Sequence, residues 1–156
     1  MTQWPEYGKR LELWEAVYKQ DLSKVQRLLA TPLGIRQVNV PHGMWMQTSV
    51  HLAVRKGSSK LLRTMLVAHA DVNTRMVNGT TPLHLAVEMK RKDLVQDLLL
   101  IGADPMLRNF TNKNAIEMAQ DLQLRDIASL LIKAANSLPA QRELKKQQDQ
   151  AEQLAR

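Results

Sequence analysis

At 156 residues the chain fits one ordinary domain or one short repeat array, and its 44% apolar content is too high for wholesale disorder. The absence of cysteine excludes disulfides and cysteine zinc sites, and apolar runs of only about four residues exclude a membrane span, which needs about 20. The net charge of +7 is concentrated in residues 22–70, which hold Lys24, Arg27, Arg36, Arg55, Lys56, Lys60 and Arg63 and no acid, a field that favours acidic partners.

In chain order, the amino terminus MTQWPEYGKRLELW carries charges where a signal peptide needs an unbroken apolar core. The expectation is a leaderless, soluble chain in the cytoplasm. Residues 11–40 begin LELWEAVYKQDLSKVQRLLA, which spaces Ala16, Val25, Leu28 and Leu29 for two short helices. The stretch HGMWMQ (42–47) follows as a loop. TSVHLAVRKGSSKLLRTMLVAHADV (48–72) and TPLHLAVEMKRKDLVQDLLLIGADP (81–105) then match at a step of 33 residues, aligning His51 with His84, Ala53 with Ala86 and Leu66 with Leu99. In the second copy Leu83, Ala86 and Val87 recur at helical spacing, as do Leu94, Val95, Leu98 and Leu99. Thr81 fits an N-cap, Pro82 a first helical position and Gly102 a left-handed helix end. Each unit is a helix, a tight turn and a second helix, and neither helix buries its apolar face without a neighbouring unit.

Thr81-Pro82-Leu83-His84-Leu85-Ala86, followed by Gly102-Ala103-Asp104, resembles the ankyrin repeat, whose period and T-P-L-H-x-A core it matches. The resemblance implies an all-α solenoid of paired antiparallel helices with hairpin-like loop fingers. It divides the chain into a degenerate N-terminal capping repeat with a long first finger (1–47), repeats at 48–80 and 81–113, a C-terminal capping repeat (114–136) and a charged helical tail (137–156). The tail carries only a thin stripe of Leu144, Ala151 and Leu154, with Pro139 near a helix start; it reads as a frayed surface helix, a partner-binding helix or a cap on the core. The glycine expected between paired helices survives as Gly57, while Gln20, Lys90 and Gln123 take that place elsewhere and His69 replaces the glycine of a helix end. Non-glycine residues in left-handed geometry cost about 1 kcal/mol each, so modest stability is expected.

His51 and His84 invite a metal reading, but equivalent positions in packed repeats lie about 8–10 Å apart, too far for one zinc. They fit structural histidines bonded to backbone. No P-loop, G-x-S-x-G, H-E-x-x-H or G-x-G-x-x-G occurs. Asp93 and Asp97 read as a solvated helix face. Neither catalysis nor a cofactor or metal is expected.

The family resemblance implies that loop tips and first helices form a concave recognition wall. By position this gives Tyr18 and Lys19; then Met44, Trp45, Gln47, Arg55 and Lys56; then Val77, Asn78, Thr80, Glu88 and Met89; then Asn109, Phe110, Asp121 and Leu122. The tips are apolar where solvated loops gain nothing from Trp45, Met76 or Phe110, and Arg75 and Arg108 recur beside them. Trp45 and Met46 could instead fold back to plug the first junction. The function expected is a monomeric, non-catalytic module that binds a protein with acidic and apolar surface, as inhibitor, masking protein, adaptor or bacterial effector. The alternative is nucleic-acid or acidic-ligand binding through the basic segment 22–70.

Overall fold

The computed structural model describes residues 12–155. Residues 1–11 of the expected first unit, and Arg156 of the expected tail, lie outside the described residues. Nine helices and no strand are found among them: α1 (Glu12–Tyr18), α2 (Leu22–Leu29), α3 (Pro32–Gln37), α4 (Ser49–Arg55), α5 (Ser59–Val67), α6 (Pro82–Glu88), α7 (Lys92–Leu100), α8 (Ala115–Asp121) and α9 (Arg125–Leu154). The expected all-α stack of helix pairs is therefore what the chain forms.

Most of the helices, though not α7 or α9, start where a side chain satisfies one of the first free N–H groups. Asp21 accepts from Lys24 N–H at 2.9 Å, Ser58 from Leu61 N–H at 3.3 Å and Asn114 from Glu117 N–H at 2.9 Å. The pairs α1–α2, α4–α5, α6–α7 and α8–α9 stack so that first helices touch first helices and second helices touch second helices. Two layers result, with Leu13, Leu62, Met65, Leu83, Leu94, Leu98 and Leu131 fully buried between them. First helices are enclosed so completely that Ser49–Val54 and Pro82–Val87 are buried throughout. In these two helices only the last residue reaches solvent, whereas α1 and α8 at the ends of the stack are more open.

The tight turn within each pair needs one left-handed residue. Gln20, Lys90 and Gln123 adopt φ of 57°, 56° and 58°, and His69 adopts 60°, as expected; Met46 (53°) and Asn112 (60°) do the same in the fingers. Lys90 is exposed and its side chain is dispensable to the core. Replacing it with glycine relieves the Cβ conflict, so Lys90→Gly is expected to stabilise the protein by about 0.5–1 kcal/mol. The midpoint of urea unfolding measures it, and a lower midpoint would show that the Lys90 side chain holds the turn.

Two features depart from the sequence pattern. The long connection after α2 folds as the extra helix α3, started by Pro32 and capped by Thr31, whose hydroxyl oxygen accepts from Gly34 N–H at 3.1 Å. Glycine is required there because a Cβ at Gly34 would sit 2.0 Å from the Leu28 carbonyl oxygen. At the other end α9 runs unbroken for 30 residues through Pro139, and Arg142 reaches back to Asp104 at 2.8 Å. From Arg142 onward its side chains are exposed.

Candidate functional site

The fingers are rooted by the two buried histidines. The Thr48 and Thr81 backbone N–H groups donate to Nδ1 of His51 (3.3 Å) and His84 (3.1 Å), and Nε2 of each ring lies 3.1 Å from a carbonyl oxygen of the next finger, Thr80 and Lys113 respectively. A carbonyl only accepts, so Nε2 carries the hydrogen and Nδ1 accepts in the neutral ring. Burial lowers the His51 pKa from 6.5 to about 4, and burial lowers His84 as well. With both nitrogens engaged, neither ring has a lone pair for a metal. No cluster of three or more potential metal ligands is found among the described residues.

The second and third fingers close by the same backbone turn, and the first by a turn one residue longer. His42 and Gln47 exchange N–H···O bonds of 2.7 and 3.0 Å, Met76 N–H donates to Thr80 O at 2.9 Å, and Asn109 N–H donates to Lys113 O at 3.0 Å. Neighbouring fingers are then joined edge to edge. Val77 N–H donates to Trp45 O at 3.1 Å, and Phe110 N–H donates to Asn78 O at 3.0 Å. These bonds set the fingers in register. They line up Met44 (82% exposed), Trp45 (53%), Val77 (50%) and Phe110 (74%) along the tips. Gly79 allows the close approach: its φ is +77°, and a Cβ there would meet Phe110 at 2.8–2.9 Å.

Several expected contact residues are placed otherwise. Met76, expected as an exposed anchor, is 6% exposed and belongs to the core; it alternates with Val77, so one points in and the other out. Gln47 and Thr80 are likewise buried, pinned by the finger roots. Arg108, expected to steer a partner, is held by Glu117 at 2.8 and 3.0 Å and bonds the Asn112 carbonyl, so it braces the third finger. Asn109 turns its side-chain oxygen to the backbone N–H groups of Thr111 and Lys113, both at 3.1 Å. Asp97, expected on a solvated face, is 4% exposed and bound by Arg63.

The other expected residues lie at the ends of the first helices and on the fingers. Tyr18, Arg55, Glu88 and Asp121 are the last residues of the four first helices. Lys19, Lys56, Met89 and Leu122 follow them. Lys19 pairs with Glu15 at 2.7 Å, Lys56 Nζ stands 3.9 Å from the centroid of the Tyr18 ring, and Asp121 pairs with Lys113. Arg55, Arg75 and Glu88 are exposed, and no ion pair of theirs is found among the described residues. A cleft of about 360 Å³ lies between Trp45, Arg55, Met76, Asn78, Thr80, Leu85 and Glu88, a mixed polar and apolar lining that includes one cation and one anion.

Trp14 was not foreseen as part of this surface. Its ring stacks on Tyr18 at 5.6 Å and lies 4.6 Å from His42, backing the wall at its first unit. The four-residue step from Trp14 to Tyr18 on one helix face is the signal that could have shown it. The basic segment is divided between the layers: Arg55 and Lys56 lie on the first-helix wall, while Lys24, Arg27, Lys60 and Arg63 lie on second helices.

A family model for ankyrin repeats (3 copies) matches residues 13–109. No curated protein matches the chain. No helix among the described residues is long and apolar enough to cross a membrane.

Proposed function

From the premise that the chain belongs to the ankyrin-repeat family, a family of protein-interaction modules, we propose that it is a non-catalytic binder that holds a partner protein against its fingers and first-helix ends. Trp45, Val77 and Phe110 serve as apolar anchors, while Arg55, Arg75 and Glu88 supply charges to orient the partner. The observation that carries this reading is the pair of finger-to-finger bonds that align three exposed apolar tips in one row. Exposed apolar tips have a solvation cost that a partner's surface removes. Tryptophan in particular is favoured among residues that dominate binding energy. Binding is then the output, through inhibition, masking or recruitment of the partner. A chain-long nucleic-acid surface fits less well, because the cations of 22–70 are split between two layers and Arg63 is already engaged by Asp97.

A nuclease-treated pull-down from the native cell extract tests the reading, with the wild type beside Trp45→Ala/Phe110→Ala. Both side chains are more than half exposed, so circular dichroism should be unchanged. A partner retained by wild type is expected to bind the double variant at least tenfold more weakly. Equal retention would move the working surface away from the fingers.

A further inference from the structure

The second-helix layer carries an apolar strip that the folding of the stack does not use. Val67 and Leu100 are the last residues of α5 and α7, lie 33 positions apart, and are 82% and 83% exposed. Ile35 on α3 is 45% exposed, and Ile101 beside Leu100 is 43% exposed. Val67 is a ridge between two grooves. One, of about 560 Å³, separates α2 and α3 from α5 and is lined by Leu29, Ile35, Thr64 and Val67. The other, of about 500 Å³, separates α5 from α7 and is lined by Leu66, Val67, Leu100 and Ile101, with Arg63 at its edge. Solvent-facing positions at successive helix ends have no packing reason to be valine and leucine.

On α2 and α3 the exposed charge beside the strip is basic, whereas Asp97 lines the α5–α7 groove, paired there with Arg63. Arg27 and Arg36 each stand within one turn of a groove-lining residue and are exposed. No acid occurs between residues 22 and 70; just beyond, Asp71 is exposed two residues past the groove-lining His69, and Asp97 is buried and paired with Arg63. A basic rim around an apolar centre matches an acidic amphipathic segment. The spacing selects its conformation. The grooves repeat with the helix stack, about 8–10 Å apart. Apolar side chains at i and i+7 of an α-helix are on one face and about 10.5 Å apart along its axis. In a strand, same-face residues recur at about 6.7 and 13 Å and miss one groove or the other.

We infer that the outer layer holds a second docking surface, in which an acidic amphipathic helix of a partner lays leucine-like anchors at i and i+7 into the grooves on either side of Val67, with its carboxylates against Arg27 and Arg36. This surface does not depend on the finger wall, and the two can be occupied together.

Fluorescence anisotropy with the full chain tests it, using a labelled 18-residue helical peptide with leucines at i, i+3, i+7 and i+10 and glutamates on the polar face. Saturable binding below about 100 μM is expected at low salt. It should weaken at least tenfold for Val67→Ser/Leu100→Ser, which leaves the core intact, and for the same peptide with lysine in place of glutamate. Three results would overturn the inference: no saturable binding by the glutamate peptide, equal binding by the lysine peptide, or loss of binding through Trp45→Ala/Phe110→Ala with none through the serine variant. A concentration-dependent dimer abolished by Val67→Ser/Leu100→Ser would also overturn it, since a second copy would then be the occupant.

Discussion

Acidification from pH 7 to 4.5 is expected to remove about 2–3 kcal/mol of folding stability through His51 alone, with His84 adding loss in the same direction. The folded ring is held neutral, its pKa lowered from 6.5 to about 4 by burial, while the unfolded ring titrates near 6.5. Above pH 6.5 both states are neutral and the histidine contributes no slope. As the pH falls from 6.5 toward 4, the unfolded chain binds a proton that the folded chain refuses, so stability falls by up to about 1.4 kcal/mol per pH step for each such ring. Below about 4 the folded ring titrates too and the loss levels off. A protonated His51 has no acceptor left at Nδ1 for the Thr48 N–H, so the finger root opens together with the repeat. Urea midpoints across this range measure the effect. His51→Gln/His84→Gln should be less stable at pH 7 yet much flatter with pH. An equally steep profile in that variant would assign the acid sensitivity to other groups.

The second large effect is expected at the ion pair of the outer layer. Arg63→Ala should destabilise the protein clearly more than loss of an ordinary surface ion pair would, although the arginine side chain itself is 69% exposed. The reason lies with its partner. Asp97 is buried on α7, accepts from Arg63 Nε at 3.0 Å and Nη2 at 2.8 Å through one oxygen, and its other oxygen has no hydrogen-bond partner among the described residues. Removing the guanidinium leaves a carboxylate that is 5% exposed without any counter-charge. The carboxylate also raises the Arg63 pKa, chiefly through their hydrogen bond. Asp97→Leu removes the charge instead and should cost far less, because a well-packed apolar residue replaces a desolvated ion. The double variant Arg63→Ala/Asp97→Leu should therefore recover most of the stability lost in Arg63→Ala. Chemical denaturation of the four proteins closes the cycle. Loss in the double variant as great as in Arg63→Ala would mean that the arginine stem, not its charge, supports the layer.

The fold was legible where helical spacing and cap chemistry agree. Thr81-Pro82 and the leucines at 94, 98 and 99 specify two helices without ambiguity, and the non-glycine turn residues Gln20, Lys90 and Gln123 were readable because the repeat demands φ > 0 at those places. Helix α3 was not read, although Thr31-Pro32 repeats the same start signal; six residues with a central Gly34 carry too little periodicity to declare a helix. Pro139 was read as a start because proline fits the first turn best, yet α9 continues through it. At the candidate wall the residue types were legible and their facing was not. Met76 and Val77 are adjacent and both apolar, and only the backbone of the finger decides which one is buried. Arg108 and Asn109 looked like contact residues because their bracing partners, Glu117 and the turn N–H groups, are fixed by the folded loop.

The helices of the stack touch chiefly their immediate neighbours, pair against pair and layer against layer, and the named hydrogen bonds between side chains reach no further along the chain than the 38 residues from Asp104 to Arg142. Contacts of such short range close small loops, which favours fast assembly. A ribosome that has released α6 and α7 has already released what α4 and α5 need to be covered on that side. The chain can therefore gain structure unit by unit during synthesis, with the buried leucines of each pair exposed only until the next pair emerges.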